Sequence, residues 1–291
     1  MTTWRELLEE TTDILGDRNE ARWLCEEACG LQGAEFLAQL DEHAIQRMGL
    51  ELQQMVGRRL SGEPVQYVLG HWPFRHIDLL IDRRVLIPRP ETEVVAGVAL
   101  DFALAAHSAR QSRSESVRIA DLGTGSGAIG LSIAAEMPNV GVEVWITDLS
   151  RDALDVARAN VASIGRNAPN VRVAHGSWCT ALPAELRGSF HVIVSNPPYI
   201  AHDDPDVDDA VRNHEPHSAL FASDNGLAHI VAIATEARDF LVPGGRLVIE
   251  IGHRQGAAVA DELGRLGWTD IAITPDLAGR DRVATARNSA D

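Results

Sequence analysis

A chain of 291 residues with 45% hydrophobic and 23% charged content is long enough to bury a sizeable core, and it suits one large domain with a smaller companion. Its 26 basic residues stand against 42 acidic ones, a net charge of −16, so repulsion from a phosphate backbone argues against stable nucleic-acid binding. No run approaches the roughly 18 consecutive apolar residues of a membrane span, and the start, Met1-Thr2-Thr3-Trp4-Arg5-Glu6-Leu7-Leu8, carries neither a basic leader nor an apolar secretory core, which predicts a cytoplasmic protein with no membrane partner.

Residues 1–72 read as a small bundle of four or five short helices. Trp4, Leu7, Leu8, then Ala21, Trp23, Leu24, Ala28, and later Ile45, Met48, Leu52, Val56, Leu60 recur at helical intervals, punctuated by Gly16-Asp17, Gly30 to Gly33 and Ser61-Gly62. Cys25 and Cys29, four apart, suit one helix face. With Cys179 far away and no further ligands at metal spacing, they predict packing rather than a metal site. The pattern then changes: Phe74, Ile77, Leu79 and Ile81 alternate with polar residues, and residues 73–90 read as a β-hairpin linking two domains.

Residues 91–291 alternate strands with helices. Glu91-Thr92-Glu93 suits a helix start and leads an apolar helical stretch to about Ala106. The serine-rich Ser108 to Ser116 reads as an exposed loop. Strands are predicted at Ser116 to Asp121, Val142 to Thr147, Val171 to Ala174, Phe190 to Ser195 and Gly245 to Ile251, with two more at the end. Helices are predicted at Ala128 to Glu136, Asp152 to Ser163, Leu227 to Leu241 and Gln255 to Leu266. The order predicts a mainly parallel, doubly wound α/β sheet.

Two motifs sit at strand ends, where such sheets bind ligands. The first strand runs into Leu122-Gly123-Thr124-Gly125-Ser126-Gly127, a turn whose glycines let the backbone approach a ligand and expose amides at a helix start. The second strand ends at Asp148, placed to accept hydrogen bonds from two ribose hydroxyls. Nicotinamide and adenosylmethionine sites both use such a carboxylate. The fourth strand ends in Asn196-Pro197-Pro198-Tyr199, which combines an amide, two stiffening prolines and an aromatic face able to hold a flat amino group. A dehydrogenase has no use for that turn there. The first and fourth strands can be neighbours in a doubly wound sheet, which would set Asn196 beside the Gly123 to Gly127 turn.

With these motifs the chain resembles a class I S-adenosyl-L-methionine-dependent methyltransferase of the branch that methylates adenine, cytosine or glutamine nitrogens. The resemblance narrows further. Glu63 to Gly70, Leu86 to Glu93, Asp121 to Gly127, Ser195 to Tyr199, Glu215 to Leu220 and Glu250-Ile251-Gly252 occur in the order seen in the peptide chain release factor glutamine methyltransferases, the PrmC/HemK family.

That likeness implies a Rossmann-like, seven-stranded methyltransferase sheet behind a helical domain that recognises release factors. It also implies N5 methylation of the glutamine in the Gly-Gly-Gln loop of class 1 release factors, a step in translation termination. By matching position, Gly123, Thr124, Gly125, Ser126 and Gly127 would line the methionine part of the donor. Asp148 would bind its ribose, and Trp178 would lie beside its adenine. Asn196, Pro197, Pro198 and Tyr199 would grip the glutamine, with Asn196 also near the donor, and S-adenosyl-L-homocysteine would be the product. Asn196 Oδ1 and the Pro197 carbonyl would accept the two amide N–H bonds, with Tyr199 beside the amide. The acidic run Ala201 to Asp209 reads as a charged surface loop. An adenine-N6 methyltransferase acting on DNA or RNA is the alternative, and a binding protein that retains the fold without transferring methyl groups is the non-enzymatic one.

Overall fold

The computed structural model describes residues 2–110, 115–201, 213–223 and 226–289, and the chain divides into two compact units, the first running to His71 and also taking in Asn213 and His214, the second beginning at Trp72. The first unit contains five helices: α1 (Trp4–Leu15), α2 (Arg18–Cys29), α3 (Gly33–Ala38), α4 (Gln46–Leu60) and α5 (Val65–Leu69). Local chemistry sets their ends. Thr3 and Glu6 cap α1 reciprocally, Asp17 accepts the Asn19 and Glu20 N–H groups to start α2, and Gly16 and Gly30 end these helices in the left-handed region. Trp4, Leu8, Leu24, Phe36 and Leu52 form the core, with Trp4 edge-on to Phe36 at 6.0 Å. Cys25 is buried among them. Trp23, Ile45 and Leu60, which share the helical periodicity, are instead 38%, 55% and 61% exposed.

A hairpin follows, β1 (His71–Phe74) and β2 (Ile77–Leu80), shorter than the alternation to Arg89 suggests, and all of it but His71 belongs to the second unit. Arg75, in its turn, pairs with Glu136 at 2.7 Å and bonds Glu93. Then come α6 (Pro90–Ser108), β3 (Val117–Leu122), α7 (Ala128–Glu136), β4 (Val142–Asp148), α8 (Arg151–Val161), β5 (Val171–His175) and β6 (Phe190–Ser195). A short pair follows, β7 (Ile200–Ala201) and β8 (Phe221–Ala222), then α9 (Ala228–Phe240), β9 (Leu241–Glu250), α10 (Gly256–Arg265), β10 (Thr269–Pro275) and β11 (Asp281–Arg287). Helix α6 runs two residues past its predicted end, and most of the acidic run predicted as a surface loop, from His202, lies outside the described residues, as do 111–114 of the serine-rich loop.

Seven strands form one sheet in the order β10-β11-β9-β6-β3-β4-β5, with β9, β6, β3, β4 and β5 parallel and β11 antiparallel to β9 and β10. The apolar residues of β3 and β6 reflect their central place: Val117, Ile119, Ala120 and Leu122, and Phe190, Val192, Ile193 and Val194, are all fully buried. Strand β9 starts four residues earlier than predicted, because its pairing with β6 jumps from Leu241 to Arg246 and so absorbs Val242-Pro243-Gly244-Gly245 as an irregularity. Helix α7 packs closely on the sheet at Gly130, where an added Cβ would lie 2.4 Å from Ile146 and 3.0 Å from Asp121 Oδ2. Gly130→Ala is therefore expected to destabilise the protein by about 1–3 kcal/mol, read as a lowered urea midpoint at unchanged slope.

Candidate active site

Strand pairing builds the site. Leu122 at the end of β3 pairs with Thr147 of β4 on one side and with Ser195 of β6 on the other, so the turns that follow all three strands emerge together. They open on a cleft of about 360 Å³, within the range of small-molecule sites. Of the predicted site residues, Gly123, Thr124, Gly125, Ser126, Asp148, Trp178, Asn196 and Pro198 line it, and Gly127, Pro197 and Tyr199 do not.

The glycine turn offers close approach more than hydrogen-bond donors. Gly123 has φ +73, and a Cβ there would lie 3.2 Å from the Trp178 ring. The amides of Gly123 and Thr124 both donate to Thr147 O, at 2.9 and 2.8 Å, and that of Gly127 donates to Thr124 O. The Gly125 amide donates to Asp148 Oδ2 at 2.9 Å. Four amides of the turn are thus committed inside the protein, which suits a cationic ligand better than a pyrophosphate. Gly127 has a packing role, since a Cβ would meet Leu131 at 2.6 Å.

Acceptors dominate the opposite balance. Asp148 holds Gly125 N–H on Oδ2 and Ser150 N–H on Oδ1 at 2.8 Å, which fixes its carboxylate at the mouth of β4 with lone pairs to spare. Asp121, in the sequence only the residue before the turn, lines the cleft at 1% exposure and accepts Thr124 Oγ1–H at 2.5 Å and Gly130 N–H at 2.8 Å. Among the described residues its Oδ1 has no hydrogen-bond partner. Burial pushes the carboxyl up to about 6, against the pull of those two hydrogen bonds. An acidic residue closing an apolar strand just before a glycine turn was the available signal for it.

An aromatic wall completes this side of the cleft. Trp178 takes a left-handed backbone, φ 42, and its ring lies 5.3 Å from that of His229, tilted by 57°. Burial lowers the pKa of His229, favouring its uncharged form. No spacing in the sequence pointed to His229 at this wall.

The Asn196 to Tyr199 turn is held from behind. Pro197 is buried, and Asn196, Pro198 and Tyr199 are half-buried. Asn196 Nδ2 donates to Thr92 Oγ1 at 3.4 Å. The Tyr199 hydroxyl donates to Glu250 Oε1 at 3.0 Å and accepts from Arg282 Nη1 at 3.3 Å, while its carbonyl accepts from Gln255 Nε2 at 3.1 Å. Burial raises the pKa of Glu250, opposed by hydrogen bonds from Thr92 and Tyr199 and by the Arg282 charge. Burial and the Glu250 charge push the Tyr199 phenol well above its ordinary range. A second buried carboxylate, Glu215, accepts Ile87 N–H at 3.1 Å and pairs with Arg89, tying the Leu86 to Pro90 segment to the cleft.

The cleft therefore pairs close glycine backbone, a fixed carboxylate, an aromatic wall and an unsatisfied buried acceptor with an amide-bearing turn. Those groups fit a nucleoside with a positively charged tail, set beside a planar nitrogen group.

Residues 1–70 match the PrmC N-terminal domain family and residues 99–265 the methyltransferase small domain family. The chain is 37% identical to the release factor glutamine methyltransferase of Burkholderia pseudomallei over 93% of its length and 92% of that protein. It is 40% identical to that of Coxiella burnetii over 81% of its length and 79% of that protein. Among solved structures, the N-terminal domain of human METTL16 superposes with a TM-score of 0.53 at 16% identity, covering 84% of this chain and 82% of that one. A methyltransferase from Pyrococcus furiosus gives 0.51 at 18% identity, covering 82% and 100%. At those identities the structures speak for the fold alone.

Proposed function

Because this chain belongs to the release factor glutamine methyltransferase family, we propose that its strand-end cleft is where a donor methyl meets the glutamine of a Gly-Gly-Gln loop, gripped by Asn196, Pro197, Pro198 and Tyr199. The enzyme is an S-adenosyl-L-methionine-dependent protein-glutamine methyltransferase. When bound, S-adenosyl-L-methionine supplies a methyl group on a positively charged sulfur. Gly123, Thr124, Gly125, Ser126 and Gly127 form the turn against its methionine part, Asp148 takes the ribose hydroxyls, and Trp178 stands beside the adenine. The observation that carries this reading is the Leu122–Ser195 pairing, since it sets the glycine turn and the Asn196 turn side by side.

An amide nitrogen gives its lone pair to the carbonyl and is a poor nucleophile, so position must do much of the work. Asn196 Oδ1 and the Pro197 carbonyl accept the two substrate N–H bonds and hold the nitrogen in line. Such placement contributes about 7–11 kcal/mol in favourable cases. As positive charge develops on the nitrogen, the same acceptors bind the transition state better than the ground state. The Tyr199 ring flanks the amide from its anchorage on Glu250 and Arg282.

The substrates are class 1 release factors, recognised by residues 1–72, with 73–90 as the link to the catalytic domain 91–291. Among the described residues no helix is long and apolar enough to cross a membrane, and the protein acts in the cytoplasm. Incubating it with S-adenosyl-L-methionine and an unmodified class 1 release factor, or separately with adenine-rich DNA or RNA, tests the reading by peptide and nucleoside mass spectrometry. One methyl on the Gly-Gly-Gln glutamine is expected. Methyl on adenine alone would overturn it.

A further inference from the structure

The turn after β6 is poor in backbone handles. Pro197 and Pro198 carry no N–H, so between Asn196 and Tyr199 the main chain offers carbonyls but no donor. The Tyr199 carbonyl accepts from Gln255 Nε2 at 3.1 Å, a contact made across 56 positions. Gln255 is itself pinned. Its Oε1 accepts the Gly252 N–H at 2.8 Å and its own backbone N–H donates to Gly252 O at 2.9 Å, so the loop from β9 to α10 closes on itself. These partners settle which way the Gln255 amide points, because a backbone N–H only donates and a backbone carbonyl only accepts. Flipped, it would set N–H against N–H at Gly252 and oxygen against oxygen at Tyr199. Gly226, at φ +85, leaves room for the contact, since a Cβ there would collide with both the Tyr199 carbonyl and Gln255 Nε2.

We propose that Gln255 is a positioning residue for methyl transfer: by fixing the Tyr199 carbonyl it holds the Asn196 to Tyr199 turn in the geometry that grips the substrate amide. Tyr199 is then anchored at both ends, its main chain by Gln255 and its hydroxyl by Glu250 and Arg282. Gln255 does not line the cleft, so its effect on the reaction passes through the turn. The inference rests on the reading of that turn as the amide grip.

The full chain carrying Gln255→Glu tests it, because this change keeps the shape and the acceptor for Gly252 N–H but makes the donor to Tyr199 titratable. Ionised, the new side chain sets a charged oxygen against the Tyr199 carbonyl; protonated, it donates an O–H in place of Nε2. The readouts are kcat with an unmodified release factor, the donor Kd by calorimetry and a melting curve, each at both ends of the pH range and beside the wild type. At about pH 8.5 kcat is expected to fall about tenfold or more below the wild type, since small misplacements of a reacting group cost that much, and the deficit should shrink as the pH is lowered to about 5.5. Gln255→Met, which lacks the amide, should keep its deficit at every pH. The donor Kd of both variants should stay within about twofold of the wild type. Wild-type kcat in Gln255→Glu at the alkaline end, a deficit that does not shrink on acidification, or a matching loss of donor affinity would overturn the assignment. If Gln255→Glu is unfolded at alkaline pH, Gln255→Met carries the test, and wild-type kcat there overturns it. Asn196→Ala is measured alongside: full activity there defeats the gripping reading itself, whereas an inactive Asn196→Ala beside unimpaired Gln255 variants defeats only the role of Gln255.

Discussion

Asn196→Ala is expected to lower turnover by about a hundred- to a thousandfold, the loss typical of removing one preorganised group that meets charge developing in the transition state. The side chain follows Ser195, which pairs with Leu122 at the end of β3, and its neighbour Pro197 is buried. Donor binding should change by only a few-fold, since Asp148, the glycine turn and the Trp178 wall are untouched. Single-turnover rates and calorimetric donor binding separate the two effects. Unchanged turnover would remove Asn196 from the chemistry.

Asp148→Ala should do the reverse. Its carboxylate is aligned by backbone N–H groups of Gly125 and Ser150, and two ribose hydroxyls would complete its shell. Hydrogen bonds to a charged acceptor contribute about 1.5–3 kcal/mol, so the donor Kd is expected to rise about tenfold to a hundredfold. At saturating donor, kcat should fall far less. Part of the loss comes from the turn itself, because Gly125 N–H loses its partner, and Asp148→Asn should accordingly be milder. A donor Kd within about twofold of the wild type in Asp148→Ala would show that the carboxylate does not hold the ribose.

Much of this architecture is legible in the chain because its causes are local. Phe190 to Ser195, apolar but for His191 and Ser195, proves to be a central strand, and Ala128 to Glu136 forms the helix its composition suggests. Asp148 lies at the end of β4 for the same reason, since the apolar run stops there. What escaped the sequence depends on which residues meet. Periodicity marks Trp23 and Leu60 as apolar helix positions but not which stripe turns inward, and both face out. The glycine turn was expected to display its amides, yet Thr147 O and Asp148 take three of them, an outcome set by the neighbouring strand. Arg282 reaches Tyr199 across 83 positions, and His229 meets Trp178 from α9, 51 positions further along the chain. Such contacts have no sequence period. They follow from the strand order, which brings β6, β9 and β11 side by side.

That strand order also dictates when the enzyme can be finished during its own synthesis. Strand β11 is made after β10 yet inserts between β10 and β9, so the outer edge of β9 has no partner until the ribosome has passed Arg287. Until then a nascent chain carries an open row of backbone donors and acceptors, the kind of edge that recruits other chains. Arg282 arrives on the same late strand and fixes Tyr199 through a side-chain contact. A stalled chain ending before it could fold the glycine turn and Asp148, but would leave the Asn196 to Tyr199 turn without its Arg282 contact, so one wall of the cleft precedes the anchorage of the other on the ribosome.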